Sequence, residues 1–312
     1  MAGISDRPFR DICRTLGAAL TTSEMVSSKA DLRDSKKTKE RLEFSIDENP
    51  RSVQIVGSDP DRMAAAAKFN VENGAQIIDI NMGCPAKKVC RVAAGSALLQ
   101  DENKVAKILK SVVEAVDVPV TLKTRTGWNV ENKNGVHIAK IAESVGIAAL
   151  AVHGRTRACM YSGDAEYETI AEMKSNISIP LIVNGDIDSA LKAKKVLDFT
   201  NADAVMVGRG AQGNPWIFNE INEYLETGLL IARPTLSVRQ KVLTEHIKKL
   251  YQFYGEYRGV RIARKHISWY CNELEGYISF RKKMNQIDNA NEQLAVVYDF
   301  FHQSKMEGEK AA

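Results

Sequence analysis

Ile77-Ile78-Asp79-Ile80-Asn81-Met82-Gly83-Cys84-Pro85 sets the frame for the rest of the chain. An apolar run ends in a Gly-Cys-Pro turn, which puts one thiol at the mouth of a buried strand. Loops held at strand ends by a rigid scaffold are where catalytic groups concentrate. A solitary cysteine is ordinarily a small buried hydrophobe, but three neighbours set this one apart. Asn81 is polar where the apolar run should continue, Gly83 lets a ligand approach the backbone, and Pro85 stiffens the exit.

Outward from this stretch, short β-rich runs recur at 19–23, 52–56, 76–80, 118–123, 148–153, 180–183 and 204–207, with helical patterns between them at 59–73, 103–116, 136–145 and 189–199. Nearly continuous apolar strands alternating with amphipathic helices imply a parallel sheet covered by helices. With no Gly-rich dinucleotide fingerprint, the pattern favours an α/β fold of the (β/α)8 TIM-barrel type over a doubly wound sheet. The count is one strand short, and the deficit is at the front. The chain opens Met1-Ala2-Gly3-Ile4-Ser5-Asp6-Arg7-Pro8, with Ser5 or Asp6 as an N-cap and Pro8 in the first helical turn. A strand normally precedes such a helix, so the reading expects that the first strand is missing, either through a start set too far downstream or because the chain is a fragment. After Gly228 the β rhythm stops, Pro234 and Thr235 mark a linker, and a helical pattern follows. The expected division is a catalytic barrel over 1–233 and an all-helical C-terminal domain over 236–306.

The composition agrees with a folded enzyme-sized chain. With 312 residues, 44% hydrophobic and 26% charged, it can bury a large core. No charged start with an apolar h-region and no apolar run of membrane-spanning length is present, which predicts a cytoplasmic protein without a membrane partner. Five cysteines, odd in number and without a CxxC pair, read as reduced thiols, with neither a disulfide framework nor a metal site. The net charge of +4 is carried entirely from position 236 onward, where 13 Lys and Arg face 9 Asp and Glu. This points to a polyanionic partner for the helical region.

In a barrel, polar residues at the C-terminal ends of strands line the active site. Here those ends carry Glu24, Gln54, Asn81, Lys123, His153, Asn184 with Asp186, and Arg209. The late turns, Asn184-Gly185-Asp186 and Gly208-Arg209-Gly210, combine exposed backbone N–H groups with an arginine, a set that suits phosphate. In the C-terminal part, Arg258, Arg261 and Lys265 recur at helical spacing, Arg264 lies beside them, and Arg281-Lys282-Lys283 forms a second basic cluster.

Taken together, these pieces resemble the tRNA-dihydrouridine synthase family, most closely its bacterial B-type. The resemblance covers almost the whole chain and is carried by Met1-Ala2-Gly3-Ile4-Ser5-Asp6-Arg7-Pro8-Phe9-Arg10, Val53-Gln54-Ile55-Val56-Gly57, Asp79–Pro85, Leu122-Lys123-Thr124-Arg125-Thr126-Gly127-Trp128, His153-Gly154-Arg155-Thr156-Arg157, Asn184-Gly185-Asp186-Ile187 and Gly208-Arg209. In the family the first motif begins with Ala-Pro at the end of a barrel strand, and that dipeptide is absent here. The resemblance implies reduction of the C5–C6 double bond of particular tRNA uridines by FMN, with NADPH as reductant. It casts Cys84 as the acid that protonates C5, and Asn81 as a substrate contact. It makes Met1, Ala2, Gln54, Lys123, His153, Asn184, Gly185, Asp186, Gly208 and Arg209 cofactor-binding. It assigns Arg258, Arg261 and Lys265 to tRNA phosphates. No motif calls for an obligatory protein partner. Two readings from other classes stay open at this stage: a Schiff-base barrel lyase using Lys123, and an RNA-binding protein without catalysis.

Overall fold

Aliphatic and β-branched side chains occupy every second position of the strands, and the register turns that alternation into two unlike faces. The computed structural model describes residues 1–45 and 49–311, with side chains as far as Met306. Seven strands, β1 (Val26–Ser27), β2 (Ser52–Val56), β3 (Ile77–Asn81), β4 (Val120–Arg125), β5 (Ala149–His153), β6 (Leu181–Asn184) and β7 (Ala204–Met206), pair in parallel and in chain order. Ile55, Ile80, Leu122, Leu150 and Leu181 share one register row and point to one face. The row before it holds Gln54, Asp79 and Thr121, and the row after it holds Asn81, Lys123 and Ala151. Because strand side chains alternate, these two polar rows share the other face.

The helices follow the strands as the periodicity predicts. Up to the end of the sheet they are α1 (Arg7–Thr15), α2 (Lys36–Arg41), α3 (Pro60–Glu72), α4 (Lys87–Cys90), α5 (Glu102–Val113), α6 (Gly135–Ser144), α7 (Glu168–Ser175) and α8 (Ala190–Thr200). Val105, Ile108, Leu109 and Val112 bury one stripe of α5, at the spacing of a single helix face. Each such fully buried aliphatic side chain contributes about 1.5–3 kcal/mol. Starts are set by side-chain caps: Asp6 accepts from the Phe9 N–H at 3.0 Å, Asp59 from Arg62 at 2.9 Å and Asp101 from Lys104 at 3.0 Å. This is the parallel β/α order of a TIM barrel, with seven strands among the described residues.

The strand expected at 19–23 falls further along the chain than the sequence pattern suggests. Over 19–23 the chain makes only a bridge, Thr22 to Ser52, and the paired strand is Val26–Ser27. Ser23 explains the break, since its hydroxyl donates to the Glu24 carbonyl and accepts from the Gln54 N–H, taking a ladder bond onto a side chain.

The backbone divides into two compact units. One holds Met1–Arg10 and Ala19–Arg209; the other holds Asp11–Ala18 and the chain from Gly210 onward. The second unit is helical: α9 (Ile217–Thr227), α10 (Leu236–Tyr254), α11 (Glu256–Cys271), α12 (Tyr277–Met284) and α13 (Ala290–Ala311). Its core gathers Leu243, Ile247 and Leu250 with Ile267, Tyr270, Phe280, Val297 and Phe301. Phe280 stacks on Phe300 with ring centroids 3.9 Å apart. No described helix is long and apolar enough to cross a membrane.

Candidate active site

The polar face of the sheet carries a continuous hydrogen-bonded layer. Thr121 on β4 donates to one oxygen of Asp79 at 2.7 Å, and the Gln54 amide on β2 donates to the other at 2.7 Å. Asn81 Nδ2 donates to Gln54 Oε1 at 2.7 Å, while Asn81 Oδ1 accepts the backbone N–H groups of Gly83 at 3.2 Å and Cys84 at 2.9 Å. Asn81 is therefore polar because it closes the turn that carries the thiol. The Cys84 carbonyl is held from behind by the Ser96 hydroxyl at 2.9 Å and the Ser96 N–H at 3.1 Å. Arg125, at the end of β4, ties the same turn down by donating to the Gly83 carbonyl at 2.7 Å and to the carbonyls of Thr156 and Met160. Burial pushes the Cys84 thiol above its ordinary pKa, so it stays protonated at neutral pH.

Lys123 lies two residues before Arg125 on the same face and donates to Asn184 Oδ1 on β6 at 3.0 Å. Asn184 in turn donates to the Met206 carbonyl at 2.7 Å. Burial lowers the Lys123 ammonium to about 8, Asp79 pulls it back up, and Arg125 pushes it down. His153 is lowered to about 3 by burial and by the cations Lys123, Arg125 and Arg155, and is neutral.

A second cluster forms where the last strands end. Arg155 grips Asp186 with both terminal nitrogens, at 2.9 and 2.6 Å, and Arg209 reaches the same carboxylate at 3.0 Å. Burial opposes ionisation of Asp186, but the hydrogen bonds from Arg155 and the Ala165 N–H and the two guanidinium charges outweigh it and hold its pKa below the carboxylate norm. Gly185 has φ of +130°, and a Cβ there would stand 2.7 Å from the Ala165 Cβ, so the turn requires glycine. A Cβ at Gly208 would meet only the Met1 sulfur, at 3.9 Å. Met1 and Ala2 are exposed, and the turn they begin is fixed where the Gly3 N–H donates to Glu24. Tyr161, also exposed, has the Arg125 and Arg209 guanidiniums 5.6 and 5.4 Å from its ring centre.

Among the residues singled out from sequence, hydrogen bonds therefore bring Gln54, Asn81 and Cys84 into one network and Lys123 with Asn184 into another. Asp186 and Arg209 form a third, which Arg155 extends to His153 at 3.3 Å. Asp79, Thr121, Arg125 and Arg155 received no role from sequence. Arg125 could have been found, since it follows Lys123 at the two-residue period of one strand face. Arg155 could not, because its partner Asp186 is 31 residues away.

The basic residues expected to meet tRNA lie on α11 in the helical unit. Arg258 stacks on Tyr254 at 4.9 Å and Arg261 on Tyr257 at 3.8 Å. Arg261 and Arg264 both pair with Asp288, at 3.0 and 2.7 Å, so part of this positive charge is neutralised within the unit. Lys265 is half-buried.

A sequence model described as dihydrouridine synthase (Dus) matches residues 1–305. The chain belongs to the dihydrouridine synthase family. It is an enzyme of that family, and its similarity to named members runs nearly end to end. It is 57% identical over 301 residues to the tRNA-dihydrouridine synthase B of Shewanella oneidensis, covering 96% of this chain and 93% of the relative. It is 57% identical over 308 residues to the protein of the same name from Pseudomonas aeruginosa, covering 99% and 93%. Among solved structures, histamine dehydrogenase from Rhizobium sp. 4-9 superposes with a TM-score of 0.54 at 10% identity, over 96% of this chain and 60% of that one, a likeness of fold.

Proposed function

We propose that the chain reduces the C5–C6 double bond of particular uridines in tRNA to dihydrouridine, holding FMN on the polar face of its sheet and drawing electrons from NADPH. The observation that carries this reading is the set of groups at the C-terminal ends of strands β3 to β7: a protonated thiol after β3, a half-buried ammonium on β4, and a two-arginine anion site in the turns after β5, β6 and β7. The donor set fits a flavin mononucleotide. Two guanidiniums around one carboxylate leave a net positive charge for a phosphate, and the open backbone at Gly208 leaves room beside it. Asn184, Gly185, Asp186, Gly208 and Arg209 would hold the ribityl phosphate, with His153 beside them. Gln54 and Lys123, with the backbone of Met1 and Ala2, would hold the ring.

When bound, the flavin supplies the hydride that goes to uracil C6. Cys84 gives the proton to C5, and its raised pKa keeps that proton in place until it is used. Asn81 sets the turn from which Cys84 acts and contacts the base. The Lys123 cation favours a negatively charged ring. Arg258, Arg261 and Lys265 neutralise tRNA phosphates, which positions the substrate without reading its sequence. The reading places the enzyme in the cytoplasm with its tRNA.

The test combines purified protein, FMN, NADPH and tRNA from a strain without dihydrouridine, and measures the modified nucleoside by mass spectrometry. Dihydrouridine formation matched by NADPH oxidation is expected; none from folded, flavin-loaded protein overturns the reading. The lowered pKa of Lys123 favours a second reading, Schiff-base chemistry at its amine. That reading leaves Cys84 idle, and it predicts a borohydride-trapped adduct at Lys123 with a carbonyl substrate.

A further inference from the structure

Asp79 is a carboxylate in the middle of β3, 6% exposed, that the reaction as described does not use. Its environment gives it a definite task. Both of its oxygens accept hydrogen bonds, from Gln54 and from Thr121. Burial pushes the Asp79 pKa up while the hydrogen bonds from Gln54 and Thr121 and the Lys123 cation pull it down; in its ionised form the carboxylate offers no donor, so Gln54 turns its NH2 toward Asp79 and its oxygen away. That oxygen needs a donor, so Asn81 must present its own NH2, and its own oxygen is left facing the turn. The turn supplies only donors there, the N–H groups of Gly83 and Cys84. The two ends of the chain, a pure acceptor and a pair of backbone donors, thus demand the same orientation of both carboxamides. Each amide alone could sit either way with nearly the same shape; between these ends neither can.

We propose that Asp79 is a positioning residue for the reaction: it anchors a one-way hydrogen-bond chain through Gln54 and Asn81 to the backbone of Cys84, setting where the thiol stands and which edges the two amides offer a bound ring. The proposal rests on the reading of Cys84 as the acid. The geometry also separates two ways in which Asp79 could matter. Asparagine at this position can still accept from Gln54, provided Thr121 rotates its hydroxyl to accept from the new amide. Leucine cannot. If the chain is what counts, Asp79→Asn keeps the function and Asp79→Leu loses it; if the negative charge near Lys123 is what counts, both lose it alike.

The first arm of the experiment reads Cys84 directly, without tRNA or flavin, and the second measures uridine reduction by the flavin-loaded enzyme. Alkylation by iodoacetamide is followed at Cys84 by peptide mass spectrometry across pH, on protein whose fold is checked by circular dichroism. Asp79→Leu is expected to start alkylating at lower pH and faster, because a loosened turn exposes the thiol. It is also expected to slow single-turnover uridine reduction about tenfold, the size of a buried donor left without its acceptor, with the half-saturating tRNA concentration in that titration unchanged. Asp79→Asn should stay close to the parent in both. Gln54→Met cuts the chain one link further on and leaves the carboxylate in place, so it should reproduce the alkylation change even if Asp79→Leu does not fold. An unchanged Cys84 profile in Gln54→Met, or equal losses in Asp79→Asn and Asp79→Leu, overturns the proposal. If uridine reduction is absent in the parent while the alkylation shifts appear, the functional reading fails and the positioning chain stands.

Discussion

At Cys84 the surroundings favour holding a proton over releasing one. The turn is built from hydrogen bonds to its backbone, and burial raises the thiol pKa, the opposite of the environment that activates a nucleophilic thiolate. Cys84→Ala should therefore lower the rate of uridine reduction by about 10²–10⁴-fold, the usual worth of a general acid, while flavin reduction by NADPH continues. Near-parental tRNA reduction in that variant would remove Cys84 from the chemistry. Lys123 supplies a second expectation. Its pKa of about 8 in the free protein means that the ammonium is present below that pH and lost as pH rises through it. Flavin affinity should weaken above pH 8, by at most about tenfold per unit, and Lys123→Met should be weaker throughout and flat with pH. A parallel fall in both proteins would assign the dependence to another group.

At the scale of elements, the strand ends were the readable part. A polar residue closing an apolar run announces itself, and Gln54, Asn81, Lys123, His153 and Asn184 all lie on paired strands. The layer beneath them was not readable, because Asp79 and Thr121 acquire meaning only when register places them side by side, 42 residues apart in the chain. The run at 19–23 differs from its pattern for a related reason: Ser23 diverts a backbone bond onto its side chain, which hydrophobic alternation cannot reveal. Helix α11 shows what a basic stripe conceals. Its three- and four-residue spacing reads as a phosphate-facing surface, yet Arg261 and Arg264 share Asp288. Replacing Arg258, Arg261 and Lys265 together with Ala should flatten the salt dependence of tRNA binding, by about 0.7–0.9 in slope for each phosphate no longer neutralised. Asp288→Asn should act the other way, releasing two guanidiniums and tightening binding. Filter-binding titrations over a salt series check both, and indifference of the slope to both changes would return this face to solubility alone.

At the scale of the whole chain, the order of motifs made the parallel β/α architecture legible, but the membership of each compact unit was not. Residues Asp11–Ala18 and α9 belong with the helical unit, although the β/α rhythm places both inside the barrel region; pattern reports which face of a helix is apolar, and not what that face meets. The same limit hid an acid-sensitive pair in the helical unit. His246 on α10 and His266 on α11 are both fully buried, with ring centroids 4.4 Å apart, Trp269 edge-on to His266, and Tyr270 6.4 Å from His246. Burial lowers His246 to about 3, and the nearby cations Lys249 and Lys265 push the same way. Burial, His246 and Lys265 lower His266 well below its ordinary value. The unfolded chain, with histidines near 6.5, then binds more protons than the folded one between that pH and about 3. Stability is therefore intact above about pH 6.5 and drains away as pH falls, by about 2 kcal/mol at pH 5 for His246 alone. Urea unfolding followed by helical circular dichroism should show a clear drop in midpoint from pH 7.5 to pH 5, and His246→Leu should shrink that drop. Equal drops in the parent and the variant would show that protonation of carboxylates elsewhere, and not this histidine pair, governs acid unfolding.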